Sequence, residues 1–287
     1  MAADPRVTVV VASRNRRELL LRTLPRHLDL PERPRVVVVD DASADGTASA
    51  VEAMRGVDVI RLSRNLGGAA RNVGMRAAGT PYVALCDDDS WWRPGALRLA
   101  ADLLDRHPRL AAINARILVG ADEHVDPSCE EMARDVLPPV GGQPGHPLLS
   151  FIACAVVLRR RPVLELGGFS ARLGVGGEEE LLGWDLASAG WLMSYVPDVV
   201  AHHDPPPNDG RPERREQSLR NALWAIWLRR PARTAAARTL HALGHAPRDR
   251  YSFRAVARAL AGVPWVLRER RVSPPRVEAM RRMLEGS

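Results

Sequence analysis

The sequence predicts an α/β fold, a mostly parallel sheet flanked by helices, followed by a helical C-terminal region. Three observations predict it. Apolar, β-branched runs alternate with helix-patterned segments through the first 119 residues. The runs lack polar alternation, as strands buried on both faces do. Polar or acidic residues follow them repeatedly, as happens where the carboxyl ends of parallel strands meet a ligand.

The elements follow in order. "VTVVVAS" (7–13) reads as a strand and "RRELLLRTLPRHL" (16–28) as a helix interrupted late by Pro25. "RVVVVDD" (35–41) is a second strand ending in acids, and "SADGTASAVEAM" (43–54) a helix opened by capping residues. "VDVIRLS" (57–63) is the third strand, "GGAARNVGMRAA" (67–78) a helix entered through glycines, and "PYVALCDDD" (81–89) the fourth strand. "RPGALRLAADLLDRH" (93–107) is helical and "RLAAINARILV" (109–119) a fifth strand. Strand and helix in alternation imply crossover units and hence parallel pairing.

Residues 120–150 turn acidic and then rich in Pro and Gly, so a mobile or irregular insertion is expected there. "SFIACAVVLRRR" (150–161) reads as a strand, 167–191 as a glycine-rich loop entering a helix, and "LMSYVPDVVAHHD" (192–204) as one or two strands. Beyond "PPPNDGRP" (205–212) the chain reads as Arg-rich helices. The expected organisation is a unit over 1–210, with halves 1–119 and 120–210, and a helical region over 211–287.

Composition limits the function classes. The 287 residues include 46% hydrophobic and 26% charged residues, ordinary for a globular chain. Three widely spaced cysteines show neither metal-type spacing nor a disulfide framework, which suits a reducing cytoplasm. No signal-peptide pattern and no long uncharged apolar stretch occurs, so a cytoplasmic location is expected. Every basic side chain is Arg. Residues 211–287 carry 18 Arg against 6 Asp and Glu, leaving the first 210 residues net negative. No aromatic interleaving of the base-stacking kind accompanies these arginines, so nucleic acid is not an expected partner.

The chemistry concentrates at strand ends. "CDDDSWW" (86–92) places Asp87, Asp88 and Asp89 directly after a buried run. Only one of three adjacent acids can cap the next helix. A hard divalent cation neutralising the cluster, accompanied by a nucleotide diphosphate, is the simplest physical answer. "GGEEEL" places Glu178 and Glu179 at a helix start, where acids also favour the helix dipole. "VVAHHD" ends a strand in two imidazoles, His202 and His203.

"VTVVVASRNR", "VVVVDDASADGT", "NLGGAARNVGMRAA", "VALCDDD" and "GGEEELLGWDLASAGW" follow one another at the spacing of family 2 glycosyltransferases. The chain resembles that family over roughly residues 6 to 230. The resemblance implies a GT-A (Rossmann-like) fold and inverting transfer of a hexosyl or deoxyhexosyl group from a UDP- or dTDP-sugar to an acceptor hydroxyl. It implies that Ala12, Ser13 and Asn15 line the nucleobase and ribose, that Asp40 or Asp41 accepts from the base, and that Arg71 and Asn72 lie near base and phosphate. Asp89, Asp87 and His202, or His203 beside it, are the implied ligands of Mn2+ or Mg2+, with Asp88 or Asp87 at the ribose. Glu179, or Glu178 beside it, is the implied general base, and Trp91 a floor for a sugar. Two departures stand out: the family's usual Asp at the base is Glu here, and a third Glu follows. Glycines 174, 176 and 177 are expected to let their loop move over a donor.

The acceptor is left open among a glycan, a lipid-linked sugar and a small molecule. The C-terminal helices either pack on the catalytic unit or lie on the inner face of a membrane, where an Arg-flanked apolar face would bind. A nucleotidyltransferase on a similar sheet, or a non-catalytic nucleotide-sugar-binding relative, is the alternative reading.

Overall fold

The structure, a computed structural model, describes residues 4–206 and 212–286. The expected boundary at 210/211 lies outside the described residues. Four parallel strands form one half of a single sheet: β1 (Val7–Ser13), β2 (Arg35–Asp40), β3 (Val57–Arg61) and β4 (Tyr82–Cys86). Between them run α1 (Arg17–Leu28), α2 (Thr47–Glu52) and α3 (Ala70–Ala77). Then come the short β5 (Ser90–Trp92), α4 (Ala96–Arg106) and the long β6 (Leu110–Val119). The remainder of the first 206 residues holds β7 (His124–Val125), α5 (Pro127–Met132), β8 (His146–Pro147), β9 (Val156–Arg159), α6 (Arg160–Glu165), α7 (Glu178–Ser188) and β10 (Leu192–His203). The last part is helical: α8 (Pro212–Arg229), α9 (Ala232–His245), α10 (Arg250–Ala261), α11 (Val263–Glu269) and α12 (Pro275–Glu285).

The strand order is β3-β2-β1-β4-β9-β6-β10-β5, with β7 on β6 and β8 on β10. The valine runs explain the layering. Val9 and Val11 enter the core on one face of the sheet while Val10 enters the core on the other; Val36 and Val38 against Val37 and Val39 repeat the pattern. Consecutive strand side chains point to opposite faces, so only an uninterrupted apolar run satisfies a sheet covered on both sides.

Two expectations need correction. The strand expected over 150–161 shrinks to β9, and it runs antiparallel between β4 and β6. An apolar run carries no information about direction, and this one enters the sheet from the opposite rim. Directly after the three acids, "SWW" forms the short β5, paired antiparallel with β10. Residues 120–150 are less irregular than expected. They contain two short strands and a helix capped by Asp126, whose carboxylate accepts from Ser128 N at 2.8 Å. Gln143 ties the segment to β10 through Met193 O and Ser194 Oγ.

Helix α3 lies close on β1 because Gly74 lacks a side chain. A Cβ there would stand 2.3 Å from Val10 Cγ1. Val10 is β-branched and stiff, so it cannot swing aside. Gly74→Ala should therefore lower stability by about 1–3 kcal/mol, the usual cost of overpacking, although alanine is the better helix former by about 1 kcal/mol. Urea unfolding checks this; equal or higher stability would refute the close-approach argument.

Candidate functional site

The rim at the carboxyl ends of β1, β2 and β4 collects the expected residues. Register pairs Ser13 with Asp40 across β1 and β2. The antiparallel β9 begins at this rim, opposite Leu85, so the segment just before it also lies here. β10 ends here too, with His203 opposite Ser90.

The three consecutive acids fan out to three partners. Asp87 Oδ1 accepts from Arg71 Nη2 at 2.6 Å. Asp88 Oδ2 accepts from Ser13 Oγ at 2.8 Å, and burial raises its carboxyl to about 6 despite that bond. Asp89 is buried, and its Oδ1 lies 3.3 Å from His203 Nε2 without hydrogen-bond alignment. Burial alone would make His203 harder to protonate, but the Asp89 carboxylate outweighs it and raises the imidazole above its ordinary value. The backbone between these acids is held by side chains from α1. Thr23 Oγ1 donates to Asp88 O at 2.9 Å. His27 Nε2 lies 3.1 Å from Ser90 O, and burial lowers this imidazole to about 4, so it is neutral and its N–H donates.

Adjacent strand residues point to opposite faces, and this separates the two imidazoles. His202, the expected metal contact, turns away: it stacks on Trp91 at 5.3 Å, with its Nδ1 3.5 Å from Glu123. His203 is the one beside Asp89. Trp91, the expected sugar floor, has its ring engaged by His202 and by the Arg26 guanidinium 3.9 Å from its centroid.

At the β1–β2 side, Asp41 is committed to the backbone, accepting from Leu66 N at 2.7 Å and Gly67 N at 2.9 Å. Asp40 is buried and its Oδ1 has no protein partner, which leaves an acceptor for a ligand N–H. Asn15 Oδ1 accepts from Ala44 N at 2.8 Å and so fixes the loop after β2. Ala12 is half-buried at the end of β1. Asn72 spends both ends of its amide on the backbone of Phe169, each at 2.8 Å.

The acids of α7 lie on the same rim. Glu178 is buried with Oε1 3.6 Å from Arg71 Nη1, so one guanidinium faces both Asp87 and Glu178. Burial opposes the charge on Arg71, but Asp87, Glu179 and Glu178 outweigh it and raise the pKa above the usual arginine range. Glu179 is half-buried, and its Oε1 accepts from Ala153 N at 3.0 Å, just before β9. Burial, reinforced by the charge of Glu178, raises Glu179 to about 7. A carboxylate with that pKa exchanges protons readily near neutrality.

The glycine loop before α7 is latched. Asn221, buried on α8, directs its amide N–H groups at the carbonyls of Leu173 (2.9 Å), Val175 (3.2 Å) and Gly176 (2.6 Å). Arg220 donates to Asn221 Oδ1 and orients the amide. Gly174 O in turn accepts from Gly68 N at 2.7 Å. The loop expected to move over a donor is tied here to α8 on one side and to the entry of α3 on the other. Asn221 had no signal in the sequence: it sits in an Arg-rich helix with no neighbouring chemistry. Ala153 had none either, since its backbone N–H is what it contributes.

Among the described residues no group of three or more His, Cys, Asp or Glu side chains is placed to hold a metal ion. A divalent ion that shares its shell with a diphosphate needs fewer, often one or two carboxylates. Asp89 Oδ1, buried and without a hydrogen bond, beside His203 Nε2, fits that lesser requirement. Asp87, the other expected ligand, already holds Arg71.

Residues 8–167 match the family described as "Glycosyl transferase family 2". Similar proteins include a pre-mycofactocin glycosyltransferase of Mycobacterium tuberculosis, 32% identical over 213 residues, covering 69% of this chain. The chain spans only 42% of that relative. An N-acetylglucosaminyl-diphospho-decaprenol L-rhamnosyltransferase of the same organism is 30% identical over 208 residues, 60% of this chain and 67% of its own. Among solved structures, the mannosyltransferase PcManGT of Pyrobaculum calidifontis, in complex with GDP-Man and Mn2+, superposes with a TM-score of 0.61 at 22% identity. That likeness covers 99% of this chain and 76% of the other.

Removing the latch should loosen the loop without unfolding the sheet. Asn221→Ala leaves buried carbonyls unpaired, at a cost of about 1–3 kcal/mol. Hydrogen exchange across 173–177 should accelerate while that of β1 and β4 is unchanged. Unaltered exchange in the loop would show that Asn221 does not hold it.

Proposed function

The chain belongs to glycosyl transferase family 2, and from that premise we propose that it is an inverting glycosyltransferase with a nucleotide diphosphate sugar as donor. The observation that carries the reading is Arg71. One buried guanidinium faces the strand-end acid Asp87 and the helix-start acid Glu178, residues far apart in sequence, and so gathers two carboxylate groups on one rim.

Each group has a role in that reading. Asp40, with its free buried oxygen, receives the base N–H, and the Ser13–Asp88 pair meets the ribose. Asp89 and His203 would hold Mn2+ or Mg2+ beside the donor's diphosphate. When bound, that ion offsets the charge left on the departing nucleoside diphosphate. Glu179 takes the proton of the acceptor hydroxyl as its oxygen bonds to the anomeric carbon. The bond to the diphosphate breaks and its electron pair leaves with the nucleotide. Ala153 N aims Glu179 while Glu178, engaged by Arg71, keeps the base proton-hungry by its charge.

The acceptor reading rests on the other half of the chain. A mostly apolar cavity of about 280 Å³ is walled by residues of 128–152 and by Leu284 of α12, and it reaches Ile152, the neighbour of Ala153. Such a wall suits an acceptor with an apolar part. The rhamnosyltransferase relative is named for a decaprenol-linked acceptor, and contact of the C-terminal helices with a membrane surface belongs to the same reading.

Thermal shift with UDP, dTDP and GDP and their sugars tests donor binding, since ligands of the native state raise the melting point. A shift should appear with Mn2+ and vanish in Asp89→Ala; the absence of a shift with every one of these nucleotides would overturn the proposal. Glu179→Gln should bind donor normally and lose about 10²–10⁴ in kcat. The base works deprotonated, so below about pH 7 the wild-type kcat/KM should rise about tenfold per pH unit and then level off. Donor binding with no turnover at any pH would favour the non-catalytic relative instead.

A further inference from the structure

Helices α10 and α11 form nearly one helix. The hydrogen bonds run through Gly262, from Gly262 N to Arg258 O and from Val266 N to Gly262 O. This helix has two apolar faces. Ala255, Ala259, Gly262 and Val266 are buried on one of them, where Trp224 of α8 donates from Nε1 to Ala259 O at 3.0 Å. A Cβ on Gly262 would meet the Trp224 ring at 2.5 Å, so this face is fully used. About 200° around the helix, Phe253, Ala257, Leu260, Pro264 and Leu267 repeat at helical spacing, and all of them are exposed. The large members are strongly so: Phe253 70%, Leu260 57% and Leu267 66%. A core-facing stripe would not be left in water, and scattered single exposures would not keep helical register.

The charge beside this stripe is of one sign. Residues 250–271 contain six arginines and one glutamate, Glu269, which pairs with Arg172 at 3.4 Å. Arg254 and Arg268 flank the stripe and are exposed. At its end, Arg268, Arg270 and Arg271 join Arg229 around a polar cavity of about 360 Å³. The other acid in its wall, Asp185, is held by Arg229 at 2.8 Å.

We propose that the exposed face of α10–α11, with the arginine cavity at its end, docks on an anionic lipid surface. The apolar stripe enters the acyl boundary, and the arginines meet lipid phosphates. A second copy of the chain is the poorer occupant, because it would bring two arginine-rich faces together. Among the described residues no helix is long and apolar enough to cross a membrane. Helix α8 offers no comparable exposed face: of its apolar residues at helical spacing, Leu223 is buried and Leu219, Ile226 and Trp227 are half-buried. The docking face is its neighbour.

The test sediments the full chain with phosphatidylcholine vesicles, with and without phosphatidylglycerol. Binding should require the anionic lipid and fall with added salt. The triple variant Phe253→Ser, Leu260→Ser, Leu267→Ser should lose about tenfold or more in partitioning, and Arg254→Glu with Arg268→Glu should do the same. All five positions are exposed, so circular dichroism and nucleotide thermal shifts should match wild type. The proposal is overturned if wild type ignores phosphatidylglycerol, or if the variants bind as wild type does. It is equally overturned if ultracentrifugation shows a dimer that the serine variant dissociates. Vesicle binding is read without catalysis, so its failure leaves the transferase reading standing, and the converse holds.

Discussion

Arg71 is the interaction on which the site depends. It rises from α3, itself pressed onto β1 by Gly74, and its guanidinium reaches Asp87 at the end of β4 and Glu178 at the start of α7. A buried cation of this kind is costly unless paired, and removing one partner of a buried pair is costlier than the pair is worth. The two carboxylates therefore depend on Arg71 as much as it depends on them. That mutual need draws α7 against the sheet rim, and with it Glu179, whose raised pKa follows from burial beside Glu178.

The three aspartates show how a strand end can carry charge. Three like charges in succession would repel, yet each is directed to a different neighbour: a guanidinium, a hydroxyl and an imidazole. The turn that allows this is braced from α1 by Thr23 and the neutral His27. It leads at once into β5, whose antiparallel pairing with β10 sets His203 opposite Ser90 and His202 opposite Trp91. Which of the two imidazoles faces Asp89 is then decided by strand pleating.

The C-terminal helices are part of the site rather than an appendage to it. Asn221 holds the loop that introduces α7, and Arg229 grips Asp185 two turns further along that helix. Arg276 closes on the carbonyls of Ala187 and Ser188 at its far end. Helix α7 is thus gripped at its entry, in its middle and at its exit by residues beyond 211.

By itself the sequence determined the layered α/β sheet, because uninterrupted valine runs suit only strands covered on both faces, and it determined which rim carries the polar residues. It marked Asp40, Asp87 to Asp89 and the Glu178-Glu179 pair, since charged residues at the ends of buried elements are conspicuous, while Arg71 came only through the resemblance to the family. What only the tertiary structure decided were the direction of β9, the strand formed by "SWW", the imidazole that faces Asp89 and the latch at Asn221. The physical reason is the same in each instance. Hydrophobic pattern specifies burial but neither strand direction nor partner. A backbone N–H such as that of Ala153, or an amide such as that of Asn221, acquires its role only from what the fold sets in front of it.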